Sequence, residues 1–85
     1  MIRIINVDLS TTDITQKQPP TIQQIKEWLS ADLLHVMQTS YENELAQLVY
    51  GFPEKKKATN PIASMWAMRA IKGTVVLLTG SHKIN

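Results

Sequence analysis

The sequence predicts an α+β fold: a four-stranded, mostly antiparallel sheet with two helices on one face, in the order β-α-β-β-α-β. Three observations lead there. Ile2-Arg3-Ile4-Ile5-Asn6-Val7-Asp8-Leu9 is β-branched and roughly alternating, the pattern of a strand. Thr74-Val75-Val76-Leu77-Leu78-Thr79 is nearly all apolar, as a central buried strand should be. Between them lie two helix-period segments, each opening on a capping residue, and a stretch that alternates on either side of Glu42-Asn43.

After the first strand, residues 10–20 (STTDITQKQPP) are polar and end in Pro-Pro, which reads as a loop, long for a compact domain. Thr21 followed by Gln24 is a capping-box pattern, and Ile22, Ile25, Trp28 and Leu29 then share a helical face. Leu33 and Val36 continue that face, so periodicity alone permits one helix from residue 21 to about 38. The other reading ends the helix near Ser30 and makes Leu33 to Tyr41 a strand. That strand turns at Glu42-Asn43 into a second, Glu44 to Gly51. Packing favours the hairpin, because two terminal strands alone would make a marginal sheet.

Phe52-Pro53 opens a lysine loop, EKKKATN, that runs into Asn60-Pro61. Proline is favoured at the first helical position and asparagine at the N-cap. Ile62, Met65, Trp66 and Ala70 form one face of the second helix, with Arg69 among them. Lys72 suits the last turn and Gly73 the stop. Residues 1–80 make one domain and 81–85 a short tail.

The chain has 85 residues, 44% of them hydrophobic, and no cysteine. A domain of this size buries only about 60% of its unfolded surface, and no disulfide or thiolate site can compensate. Assembly as a homo-oligomer is the remaining route to more burial. No apolar run approaches the ~18 residues of a membrane span, and the first five residues are too quickly polar for a signal peptide. The expected location is the cytoplasm. Net charge is +2, but residues 1–42 carry −2 and residues 43–85 carry +4, so the second half can attract an anion.

Asn60-Pro61-Ile62-Ala63-Ser64, followed by Ile71-Lys72-Gly73-Thr74-Val75-Val76-Leu77-Leu78-Thr79-Gly80, resembles the C-terminal half of a small domain family of unknown function common in bacteriophages and mobile elements. That family pairs an Asn-Pro-x-Ala-Ser/Thr helix start with a Gly-x-Val-Val strand. The resemblance implies a phage-type accessory protein, acting in the host cytoplasm to counter a defence system. It implies no known activity.

Lys55, Lys56 and Lys57, with Thr59, Asn60 and Ser64, are the candidate ligand site. Unpaired N–H groups at a helix start and nearby lysines can hold a phosphate, so the expected ligand is an anionic, nucleotide-like molecule. The alternative for the same residues is a capped helix beside a solvated charge run. Tyr41, Tyr50 and Arg69 are candidate interface or ligand residues, the tyrosines because hairpin positions can reach a free sheet face. Trp28 and Trp66 sit on apolar faces and read as core. His35 and His82 stand in no metal-ligand spacing, and no nucleophile elbow or triad order is legible. Neither an enzyme nor a cofactor is expected. A protein–protein inhibitor of a host enzyme is the first rival, and a weak nucleic-acid-binding regulator the second.

Overall fold

The computed structural model describes residues 1–52 and 57–84. Its elements are β1 (Ile2–Ile5), β2 (Thr11–Ile14), α1 (Ile22–Leu29), β3 (Leu34–Tyr41), β4 (Glu44–Gly51), α2 (Pro61–Ala67), β5 (Val75–Thr79) and a closing 3-10 turn, Gly80–His82. The sheet has five strands in the order β2-β1-β5-β4-β3, and every pairing is antiparallel. The α+β class holds. The four-stranded layout does not, because part of the segment read as loop, Thr11–Ile14, pairs with β1. That strand borders the sheet and buries little, so its polar residues suffice.

The helices lie on opposite faces, which corrects the expectation of one helical layer. Beneath α2, Ala63 packs with Ile5, Ala46, Leu48, Tyr50, Ile71, Val75 and Leu77. Beneath α1, Ile25 and Leu29 pack with Ile2, Val49, Val76 and Leu78. Successive side chains of a strand point to opposite faces, so β5 feeds one core with Val75 and Leu77 and the other with Val76 and Leu78. All five of its residues are buried. A strand apolar at every position requires cover on both sides, and the two helices provide it.

Residues 34–41 form a strand, as packing favoured. Glu42 and Asn43 both take left-handed backbone, with φ of 50° and 65°, which gives a two-residue hairpin turn between β3 and β4. Thr21 caps α1 in a full capping box, and the helix stops at Ser30 in left-handed conformation.

The second helix is shorter than its sequence pattern predicts. It ends at Ala67 with Met68 left-handed at the C-cap, so Ala70, Lys72 and Gly73 lie beyond it. The chain then returns beside its own approach. Thr59 bridges Lys72, Asn60 N–H donates to the Ile71 carbonyl at 2.7 Å, and Gly73 N–H donates to Ala58 at 2.8 Å. Gly73 has a φ of +81°, and a Cβ there would come within 2.8 Å of the Lys57 side chain. This glycine therefore serves a tight approach and not a helix stop.

Candidate functional site

Lys55 and Lys56 lie outside the described residues. The other members of the sequence-derived ligand set are close together, and several are already engaged by the protein. Asn60 is fully buried. Its Oδ1 accepts from Ala63 N–H at 3.1 Å, and its Nδ2 donates to the carbonyls of Ile5 and Gly73, both at 3.0 Å. Ser64 Oγ accepts from Ile71 N–H at 2.8 Å and donates to the Ile71 carbonyl at 3.2 Å. Lys57 Nζ donates to the Leu29 carbonyl at 3.1 Å, an orphan acceptor at the end of α1. Thr59 is exposed.

The two tyrosines do not face an open sheet surface, because α2 covers that side. Tyr41 is half-buried, accepts from Arg3 Nη1 at 2.9 Å, and meets Trp66 edge-on with ring centroids 5.5 Å apart. Arg3 also clamps Asp13, with Nε to Oδ1 at 2.7 Å and Nη2 to Oδ2 at 3.1 Å. Asp13, Arg3, Tyr41 and Trp66 thus form a chain of side chains reaching from one sheet edge to the other. Hydrogen bonding from Arg3 holds the Asp13 carboxyl below its usual range, and the same bond raises the guanidinium further. Asp8 is lowered chiefly by its hydrogen bond from the Ser10 hydroxyl.

Tyr50 and Arg69 come together in a cleft of about 260 Å³ where β3, β4 and the end of α2 converge. His35, Phe52, Ala70 and Ile71 complete its lining. Tyr50 is only 6% exposed, and its hydroxyl accepts from Arg69 Nη2. The guanidinium carbon stands 5.8 Å from the ring centroid. His35 stacks on the same ring at 5.1 Å with an interplanar angle of 29°, and Phe52 tilts against His35 at 6.4 Å. Among the described residues no carboxylate lines this cleft. The ion pair among the described residues is Arg3–Asp13, and the partner of Arg69 among them is the Tyr50 phenol.

Other surface clefts, such as those beside Gln16 and Gln24 or beside Gln38 and Gln47, are lined by amides and combine no cation with a ring stack. Sequence reasoning singled out Tyr50 and Arg69 but missed His35 and Phe52. The signal for His35 was present: once the hairpin turns at Glu42-Asn43, the register of a two-residue loop sets His35 opposite Tyr50. Phe52 lies one residue past β4, where no periodicity marks it.

Among the described residues no cluster of three metal-ligating side chains occurs, and no helix is long and apolar enough to cross a membrane. Comparison with protein-family models, with curated proteins and with solved structures finds no match to this chain.

Proposed function

We propose that this is a non-enzymatic binding protein whose ligand is a small anion carrying an aromatic ring, a nucleotide-like molecule, held at the His35–Tyr50–Phe52–Arg69 cleft. The observation that carries the reading is the Arg69 guanidinium beside stacked rings, with no carboxylate among the described residues that line the cleft. A guanidinium binds phosphate oxygens through paired donors, and aromatic faces take a base by stacking. A cleft of about 260 Å³ is near the lower end for small-ligand sites, so it suits one base or one phosphoryl group more than a whole dinucleotide. Lys55, Lys56 and Lys57 follow Phe52 closely in the chain and add positive charge to that half of the molecule. Asn60, Thr59 and Ser64 then hold the return of the chain in place, and contact with the ligand falls to the cleft and the lysines. The resemblance to a phage domain family gives such binding a purpose, the sequestration of a host nucleotide signal.

The test is thermal unfolding with a panel of linear and cyclic nucleotides at physiological salt. A ligand at 100 times its dissociation constant adds about 2.7 kcal/mol to the folded state. In a domain of this size that raises Tm by well over ten degrees. Arg69→Ala should weaken binding about tenfold or more, the loss of a charge-assisted hydrogen bond. The Lys55/Lys56/Lys57→Ala variant should weaken it less and flatten its salt dependence. If no nucleotide shifts Tm and a host protein co-purifies at fixed stoichiometry, the reading gives way to that of a protein inhibitor.

A further inference from the structure

The two edges of the sheet differ in how they are closed. At one edge β2 has four residues, and Asp13 on it is tied back to Arg3 on β1. At the other edge β3 runs for eight residues, Leu-His-Val-Met-Gln-Thr-Ser-Tyr, with no Lys, Arg, Asp, Glu or Pro. Its register with β4 is unbroken from Leu34↔Gly51 to Tyr41↔Glu44, so no bulge twists it away. Edges that remain single are usually shortened, charged, bulged or covered. Among the described residues no segment pairs with the outer side of β3.

The hairpin fixes which backbone groups face outwards. A two-residue turn makes Tyr41↔Glu44 a hydrogen-bonded pair, and such pairs alternate with non-bonded ones along the ladder. Thr39, Met37 and His35 therefore direct their N–H and C=O groups at β4. The bond from Phe52 N–H to the Leu33 carbonyl, at 3.0 Å, continues the same series. Leu34, Val36, Gln38 and Ser40 then turn theirs away from the sheet.

We propose that β3 pairs antiparallel with β3 of a second copy, about a two-fold axis normal to the sheet and centred on Met37. Such an axis keeps the α1 faces of both copies on one side and the α2 faces on the other, giving one continuous ten-stranded sheet. Centring on Met37 sets Leu34 opposite Ser40 and Val36 opposite Gln38 of the second copy. All four outward residues of each strand are then in hydrogen-bonded pairs. Moving the centre to Val36 or Gln38 leaves some of them unpaired. The strand carries no Lys, Arg, Asp or Glu, and His35 meets Thr39, so no like charges oppose.

The surroundings also favour a second copy. On the α1 side the helix packs over β4 and β5 and leaves Val36 and Leu45 exposed, at 42% and 63%. On the other side α2 packs over β3 and carries exposed Met65, with exposed Met68 at its C-cap. A chain of 85 residues gains the burial that its own core lacks. This inference does not depend on the ligand, and mass is its readout.

The experiment is sedimentation or light scattering of the full chain up to about 100 μM, where a pair of micromolar affinity is mostly assembled. The wild type should have twice the chain mass. Val36→Pro removes an outward N–H and leaves the ladder to β4 intact, so it should give a folded monomer by circular dichroism. Val36→Lys is the second variant should the proline prevent folding, and it too should be monomeric. Met37→Cys places the chain's one thiol on the axis, with Cα atoms about 4.5 Å apart, and should cross-link under mild oxidation. A monomeric wild type, or a dimer untouched by Val36→Pro and Val36→Lys, overturns the proposal. Monomeric variants combined with no Met37→Cys cross-link overturn the register.

Discussion

The two helices begin alike in sequence and differently in structure. Thr21 caps α1 from an exposed position, accepting from Gln24 N–H at 3.0 Å while Gln24 Oε1 accepts from Thr21 N–H at 2.9 Å. Both of those bonds span three residues. Asn60 caps α2 from full burial, and its amide also holds the end of β1 at Ile5 and the approach to β5 at Gly73. One cap holds a helix. The other joins β1, α2 and the segment before β5. The difference teaches that a capping residue can be read as a local device from its neighbours, while its wider role depends on what the fold brings to it.

Asn60→Ala should be the most damaging way to break that comparison. It takes a donor from the buried Ile5 and Gly73 carbonyls and leaves the Ala63 N–H without its cap, at a cost of about 3 kcal/mol or more. Domains of this size have about 4–13 kcal/mol in total, so denaturant titration should show a large fraction of the stability gone. Asn60→Asp sharpens the point. It keeps an acceptor for Ala63 but loses both donors and buries a charge, so it should be nearly as unstable as the alanine variant. A stable Asn60→Asp protein would mean that the cap alone mattered. Thr21→Ala should cost about 1 kcal/mol, the usual loss of an exposed cap, and lower Tm by about 4–8 °C.

Asp13→Asn should have the smallest effect at neutral pH, since the clamp with Arg3 is solvent-exposed. Its sign with pH is nevertheless defined. The folded protein holds Asp13 and Asp8 below the unfolded carboxylate value of about 3.9. Their contribution is present above that value and is lost as pH falls through the lower folded values. Wild type and Asp13→Asn should therefore converge in stability at acid pH and separate again towards neutrality, as thermal scans across pH 2–7 would read.

The caps, the hairpin and the buried β5 were legible because each depends on residues adjacent in the chain. Thr21 with Gln24, Asn60 with Pro61, and Glu42-Asn43 between alternating runs are signals of that kind. Strand β2 was not legible, because Thr11–Ile14 needs only backbone pairing at an edge and its polar residues look like loop. The two-sided placement of the helices could have been drawn from β5, since Val75 to Leu78 are apolar on both pleats. The end of α2 was misplaced because Arg69 to Gly73 keep a helical pattern, while pairing of Asn60 with Ile71 and Ala58 with Gly73 takes the backbone instead. Of the cleft, Tyr50 and Arg69 were singled out individually. Their meeting with His35 needed the register, and the bond between them needed the fold.

Strand β5 is the last strand in chain order and the middle strand in space. The segments before it can form two hairpins, β1–β2 and β3–β4, and these share no border except the one that β5 fills. A chain emerging from the ribosome therefore carries two unfinished half-sheets, each with an open inner edge. Joining them awaits residues 75–79, whose partners Ile2–Ile5 were made more than sixty residues earlier. The sheet is therefore completed only after residue 79 has been made. Until then the exposed inner strands are open to mispairing with other nascent chains, a hazard concentrated in the interval before β5 arrives.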